Sequence, residues 1–142
     1  MEKSSEATTA PHYSFLSDAQ ILIGDIYLFR NRIRDLMGDN NNLKTRLSSL
    51  LDREDAEPLL EEAEEFQNLF MTYEEQLMNL CARSRRQLVR LLQMTDSFNP
   101  QYKRVSETQQ ELSRILLELD GKIRHTRNAF ELRFGGTRQL NP

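Results

Sequence analysis

The sequence has no tryptophan and one cysteine. A lone cysteine excludes an intramolecular disulfide framework and any metal site built from several cysteines. Glycine and proline are scarce, at 5 and 4 of 142 residues. β-branched residues are sparse, and no alternating run of strand length occurs, so nothing reads as a sheet. Apolar runs last only a few residues and mean hydropathy is −0.66. No stretch therefore approaches the ~20 apolar residues of a bilayer span. Met1-Glu2-Lys3-Ser4-Ser5-Glu6 lacks the basic-then-apolar layout of a signal peptide, and a cytoplasmic, reducing setting is the expectation. Net charge is −3, with 38% hydrophobic and 29% charged residues. That apolar share is low for a compact globule but too high for wholesale disorder.

What is present is leucine, glutamate, arginine and glutamine in three long stretches, all strong helix formers. Residues 1–13 are Ser, Thr, Glu and Ala with Pro11, show no periodicity and read as a flexible tail. Residues 135–142, opening on Gly135-Gly136, read the same way. The first helix is expected over 14–52, with Ser17 and Gln20 fitting a capping box at its start. Its apolar residues alternate in steps of three and four: Phe15, Ala19, Leu22, Ile26, Phe29, Ile33, Leu36, then Leu43, Leu47 and Leu50. That rhythm lays one seam along a supercoiled helix. Asn40 fills the missing position. It lies within Gly38-Asp39-Asn40-Asn41-Asn42, which has the composition of a turn. The rhythm nevertheless keeps its phase across this segment, which favours one continuous helix over a turn. Asn40 is then either a buried register determinant or a member of an open turn.

The second helix is expected over 56–95, with Pro58 in its first turn. Its seam is Leu59, Ala63, Phe66, Phe70, Tyr73, Leu77 and Leu80. The seam turns polar at Ser84 and Gln87 before Leu91 and Met94, and a local stutter through Cys81, Ser84 and Leu88 would bypass that gap. The third helix is expected over 100–134, with Asn99 as N-cap, Pro100 just inside the start and Gly135-Gly136 as the stop. Its seam is Val105, Gln109, Leu112, Leu116, Leu119, Ile123, Thr126 and Phe130. Short links force antiparallel neighbours. The expected fold is all-α, an elongated antiparallel three-helix coiled-coil bundle with flexible termini. The acidic start of the second helix would lie beside the basic end of the third, and its basic end beside the acidic starts of the other two.

No catalytic or metal constellation appears. His12 and His125 are the 2 histidines, and neither stands three residues after a glutamate as a ferritin-like site requires. Cys81 borders the seam and reads as a buried thiol. Glu61, Glu62, Glu64 and Glu65 read as a solvated face, and Arg83, Arg85, Arg86 and Arg90 as helix-end charge without the stacking aromatics of a nucleic-acid site. No enzyme activity, cofactor, metal or nucleic acid is expected, and a membrane partner is disfavoured by net negative charge and 4 lysines.

The informative residues are apolar ones off the seam: Ile21 and Leu28 on the first helix, Met71, Met78 and Leu92 on the second, with Leu117 and Leu132 as outward candidates on the third. Antiparallel pairing puts Ile21 and Leu28 at the same end as Met78 and Leu92, as one candidate partner surface. The expectation is a protein-interaction module binding another helix or a second copy as a homodimer: an adaptor, assembly subunit or chaperone. A peripheral membrane or curvature scaffold is the alternative. The three-helix length pattern is similar to a spectrin-type repeat, without the tryptophan of that family's first helix. Size, acidity and long helices also resemble small export chaperones of flagellar and type III secretion systems, which would imply a chaperone role.

Overall fold

The computed structural model describes the backbone over residues 2–53, 55–94 and 100–139, and side chains over 18–53, 55–94 and 100–135. Three long helices account for nearly all of it: α1 (Glu2–Leu51), α2 (Leu60–Leu92) and α3 (Pro100–Gln139), with a short 3₁₀ turn at Glu57–Leu59 before α2. No strand occurs among the described residues. α1 and α2 run antiparallel, α2 and α3 antiparallel, and α1 and α3 therefore parallel, giving the three-helix bundle that the seams imply.

Helix α1 is continuous through 38–42. Leu36, Asn40 and Leu43 are all buried, so packing in phase outweighs the turn propensity of the intervening Gly and Asn residues. The link to α2 satisfies its own backbone: Asp52 N–H donates to Ser48 O, Ala56 N–H to Arg53 O and Leu59 N–H to Ala56 O. Pro58 sits in the 3₁₀ turn, where its missing N–H costs nothing.

Several boundaries differ from the expected ones. α1 begins at Glu2 rather than near 14, so the helix passes through Ser17, which is not a start. α3 passes through Gly135-Gly136 to Gln139 instead of stopping there. The stretches 2–13 and 135–139, expected as tails, are thus helical in backbone. Ser, Thr and Glu tolerate helix, and glycine disfavours it by about 1 kcal/mol per residue without forbidding it. α2 ends at Leu92, with the Gln93 N–H turned back to the Arg90 carbonyl and the Met94 N–H to the Leu91 carbonyl. Met1, 140–142 and the proposed Asn99 cap lie outside the described residues.

The core is a stack of seam residues along the rod. Ala19, Leu22, Ile26, Leu88, Leu91 and Val105 fill one end. Phe29, Ile33, Leu36, Tyr73, Leu77, Leu80, Leu112, Leu116, Leu119 and Ile123 fill the middle. Leu43, Leu47, Ala63, Phe70, Phe130 and Phe134 fill the other end, where Phe66 meets Phe130 edge-on with centroids 5.5 Å apart. The expected stutter at 81–88 does not occur. Ser84 and Gln87 stay on the seam and are buried, with Leu88 buried beside them. The buried stripe is wide enough to include Leu88 without a change of phase.

Candidate interaction surfaces

Ion pairs identify which flank of each helix faces which neighbour. Lys44 Nζ on α1 lies 2.5 Å from Glu74 Oε2 on α2. On the opposite flank of α1, Arg32 donates to Asp120 Oδ2 on α3 through Nη2 at 2.7 Å and Nε at 3.2 Å. Arg127 stands 3.6 Å from Asp39, and Arg46 pairs with Glu131. At the α2 start, Arg133 Nε reaches Glu62 Oε2 at 2.6 Å, so opposite charges meet there as the sequence pattern implies. At the other end Arg83 lies close enough to Glu111 to help hold its carboxyl below the usual range, after the larger effect of the Arg114 hydrogen bond.

The candidate residues are all exposed: Ile21 62%, Leu28 69%, Met71 48%, Met78 55% and Leu92 64%. They do not form one surface. Met71, Met78 and Leu92 lie one helical step outward from Glu74, Cys81 and Leu88, on the flank of α2 turned to α1. Ile21 and Leu28 lie one step outward from Asp25 and Arg32, on the flank of α1 turned to α3. The rod's antiparallel pairing does bring Ile21, Leu28 and Leu92 to one end, but on opposite sides of α1. Spacing along a helix gives the angle off the seam. Which neighbour lies on that side depends on the sense in which the three helices pack.

Along the parallel pair α1/α3 the bundle is open. A groove of about 600 Å³ is lined by Leu22, Leu28, Phe29, Gln109, Leu116 and Leu117, with the Arg32–Asp120 pair in its wall. Leu28 and the 74% exposed Leu117 form its two lips. Gln109 is buried there with neither amide atom hydrogen-bonded to protein. Towards the other end a second groove of about 700 Å³ carries Arg46, Arg53 and Arg127 beside Asp39 and Glu131. These cations are not free for a ligand, since each pairs with an acid, and Arg46 also lies over the Phe130 ring at 5.1 Å.

Asn40 is buried at 1% exposure and its Nδ2 donates to the Phe70 carbonyl at 2.8 Å. It is a core residue joining α1 to α2. Cys81 is a free thiol, half-buried against the central cluster. Sequence reading overlooked Asp120, buried although charged. Its sequence signals are a position beside Leu119 and Arg124 one turn further on, while its closer partner, Arg32, lies 88 residues away.

Among the described residues no group of His, Cys, Asp or Glu is arranged to hold a metal ion, and no helix is long and apolar enough to cross a membrane. No protein family, curated protein or solved structure matches the chain.

Proposed function

We propose that the protein is a non-enzymatic helical interaction module, an adaptor, assembly subunit or chaperone that engages other polypeptides through apolar lines on the outside of the bundle. The observation that carries this reading is the heptad line on α2 beside the α1 flank, where Met71, Met78 and Leu92 are exposed and Arg85 holds the position between the last two. Such spacing matches the anchors by which helices recognise one another. Burying the exposed half or so of each of these side chains is worth about 1 kcal/mol or a little more, and methionine adapts to more than one partner surface.

The test is site-directed photo-crosslinking in the full chain. A photoreactive side chain in place of Met78 should crosslink to a second polypeptide, and Met71→Arg should abolish that product with helix content and melting temperature unchanged. Equal crosslinking from Glu75, exposed on another line of α2, would remove the reading, as would salt-sensitive co-sedimentation with anionic vesicles through this line.

A further inference from the structure

The α1/α3 face carries a self-complementary pattern. Arg32–Asp120 and Asp39–Arg127 share the same offset of 88 residues, which sets α1 and α3 in step. One line outward from these pairs, Ile21 stands level with Gln110, Leu28 with Leu117, Asp35 with Arg124 and Asn42 with Glu131. Leu28 and Leu117 are the lips of one groove. Asp35 and Arg124 lie one heptad beyond Leu28 and Leu117, one turn past the Arg32–Asp120 pair, and no ion pair joins them across the groove.

We propose that a second copy of this chain docks on the face, about a two-fold axis parallel to the helices. That axis lays α1 of one copy on α3 of the other. Leu28 meets the partner's Leu117, Asp35 meets the partner's Arg124, and each contact occurs twice, as an isologous interface demands. No like charges oppose along these lines, because Ile21 meets the partner's Gln110 and Asn42 meets the partner's Glu131. Arg124 already stands 3.4 Å from Asp120. Its guanidinium carries further N–H donors and is 61% exposed, so it serves a second carboxylate without leaving the first. An antiparallel pairing centred on Leu28 would instead set Ile21 against the partner's Asp35, a carboxylate facing an apolar side chain. This assignment rests on the reading of the protein as an interaction module and specifies the partner and the surface.

The experiment is light scattering on the full chain over a concentration series on the order of 10 μM to 1 mM, the range of a modest interface. The wild type should rise from the 16.7 kDa of one chain towards twice that mass. Asp35→Lys and Arg124→Glu should each weaken association about tenfold or more, and the two together should restore it to within a factor of about three, since the pair is rebuilt with its signs exchanged. Leu28→Glu, at a 69% exposed position on the lip of the groove, should also weaken it about tenfold, with helix content unchanged in every variant. A mass fixed at 16.7 kDa throughout overturns the proposal. So does a dimer that Asp35→Lys and Leu28→Glu leave intact, or a double variant no better than its singles. A dimer lost only in Met78→Arg overturns this face and leaves the interaction module standing. Loss of position-specific crosslinking at Met78 together with a salt-dependent vesicle-bound monomer overturns both.

Discussion

The side-chain amide of Asn40 on α1 donates a 2.8 Å hydrogen bond to the main-chain carbonyl of Phe70 on α2. Phe70 lies inside a helix, so its carbonyl already belongs to the backbone ladder. The bond is therefore a second one for the acceptor, while the Asn40 Oδ1 is buried with no partner. An unpaired buried acceptor costs about 1–3 kcal/mol, more than the ~0.5–1.5 kcal/mol that one hydrogen bond returns. Asn40→Val should thus raise stability by about 1 kcal/mol in urea denaturation and loosen the register that the Asn imposes. A loss of similar size would show that the Phe70 bond outweighs the desolvation.

The Tyr73 hydroxyl and the Thr126 hydroxyl lie 2.7 Å apart in the buried seam between α2 and α3. Each satisfies the other, so removing one orphans its neighbour. Tyr73→Phe should cost about 1–2 kcal/mol. Adding Thr126→Val to Tyr73→Phe should recover most of that loss, because no buried polar group is then left unpaired. Additive losses in the double-mutant cycle would contradict the pairing.

Much of this architecture is legible in the residues themselves. Ile26, Ile33, Leu77, Leu112 and Phe130 announce the seam by spacing alone, and even its polar members Ser84, Gln87, Gln109 and Thr126 keep the phase and are buried. Composition misleads at 38–42, where local propensity is a bias of about 1 kcal/mol per residue against a packed helix. Asp120 and the separation of Leu28 from Met78 are not legible, for a shared reason. Both depend on which helix lies on which flank, a property of the three-dimensional packing that no one-dimensional period contains.

The Asp120 carboxylate is held between Arg32 at 2.7 Å and Arg124 at 3.4 Å, with its side chain 11% exposed. Arg32 is itself 41% exposed, so solvent screens part of its attraction. Arg32→Ala should cost about 1–2 kcal/mol, between the values typical of surface pairs and of fully buried ones. The loss should persist in 1 M salt (roughly a 3 Å screening length) because the carboxylate left behind is buried. By the same measurement Arg114→Ala, which breaks the exposed contacts to Glu111 and Glu118, should have an effect that salt removes.

Glu111 gives a signature in pH. The Arg114 hydrogen bond, followed by attraction to Arg114 and Arg83, holds its carboxyl below the ordinary 4.5. A carboxyl depressed in the folded state favours folding above its unfolded value and loses that contribution as pH falls through the folded one. Carbon-detected NMR titration should place the Glu111 midpoint below 4.5 and show it moving back towards 4.5 in Arg114→Gln. A midpoint that does not move would assign the depression to Arg83 instead.

Gly38 sits within continuous α1, and a Cβ built on it would meet nothing within 4 Å. No glycine among the described residues has positive φ, so the backbone there does not require glycine. Gly38→Ala should stabilise the bundle by about 0.5–1 kcal/mol, through higher helix propensity and a less disordered unfolded chain. Amide hydrogen exchange over 38–42 should slow in proportion, because local opening at this weak point becomes costlier. The alternative is that α1 bends at Gly38 when the protein engages a partner. Gly38→Ala would then stabilise the isolated chain and weaken association in the same light-scattering series. Equal association by both chains, with slower exchange in the variant, would identify α1 as a straight strut whose glycine contributes only a soft spot.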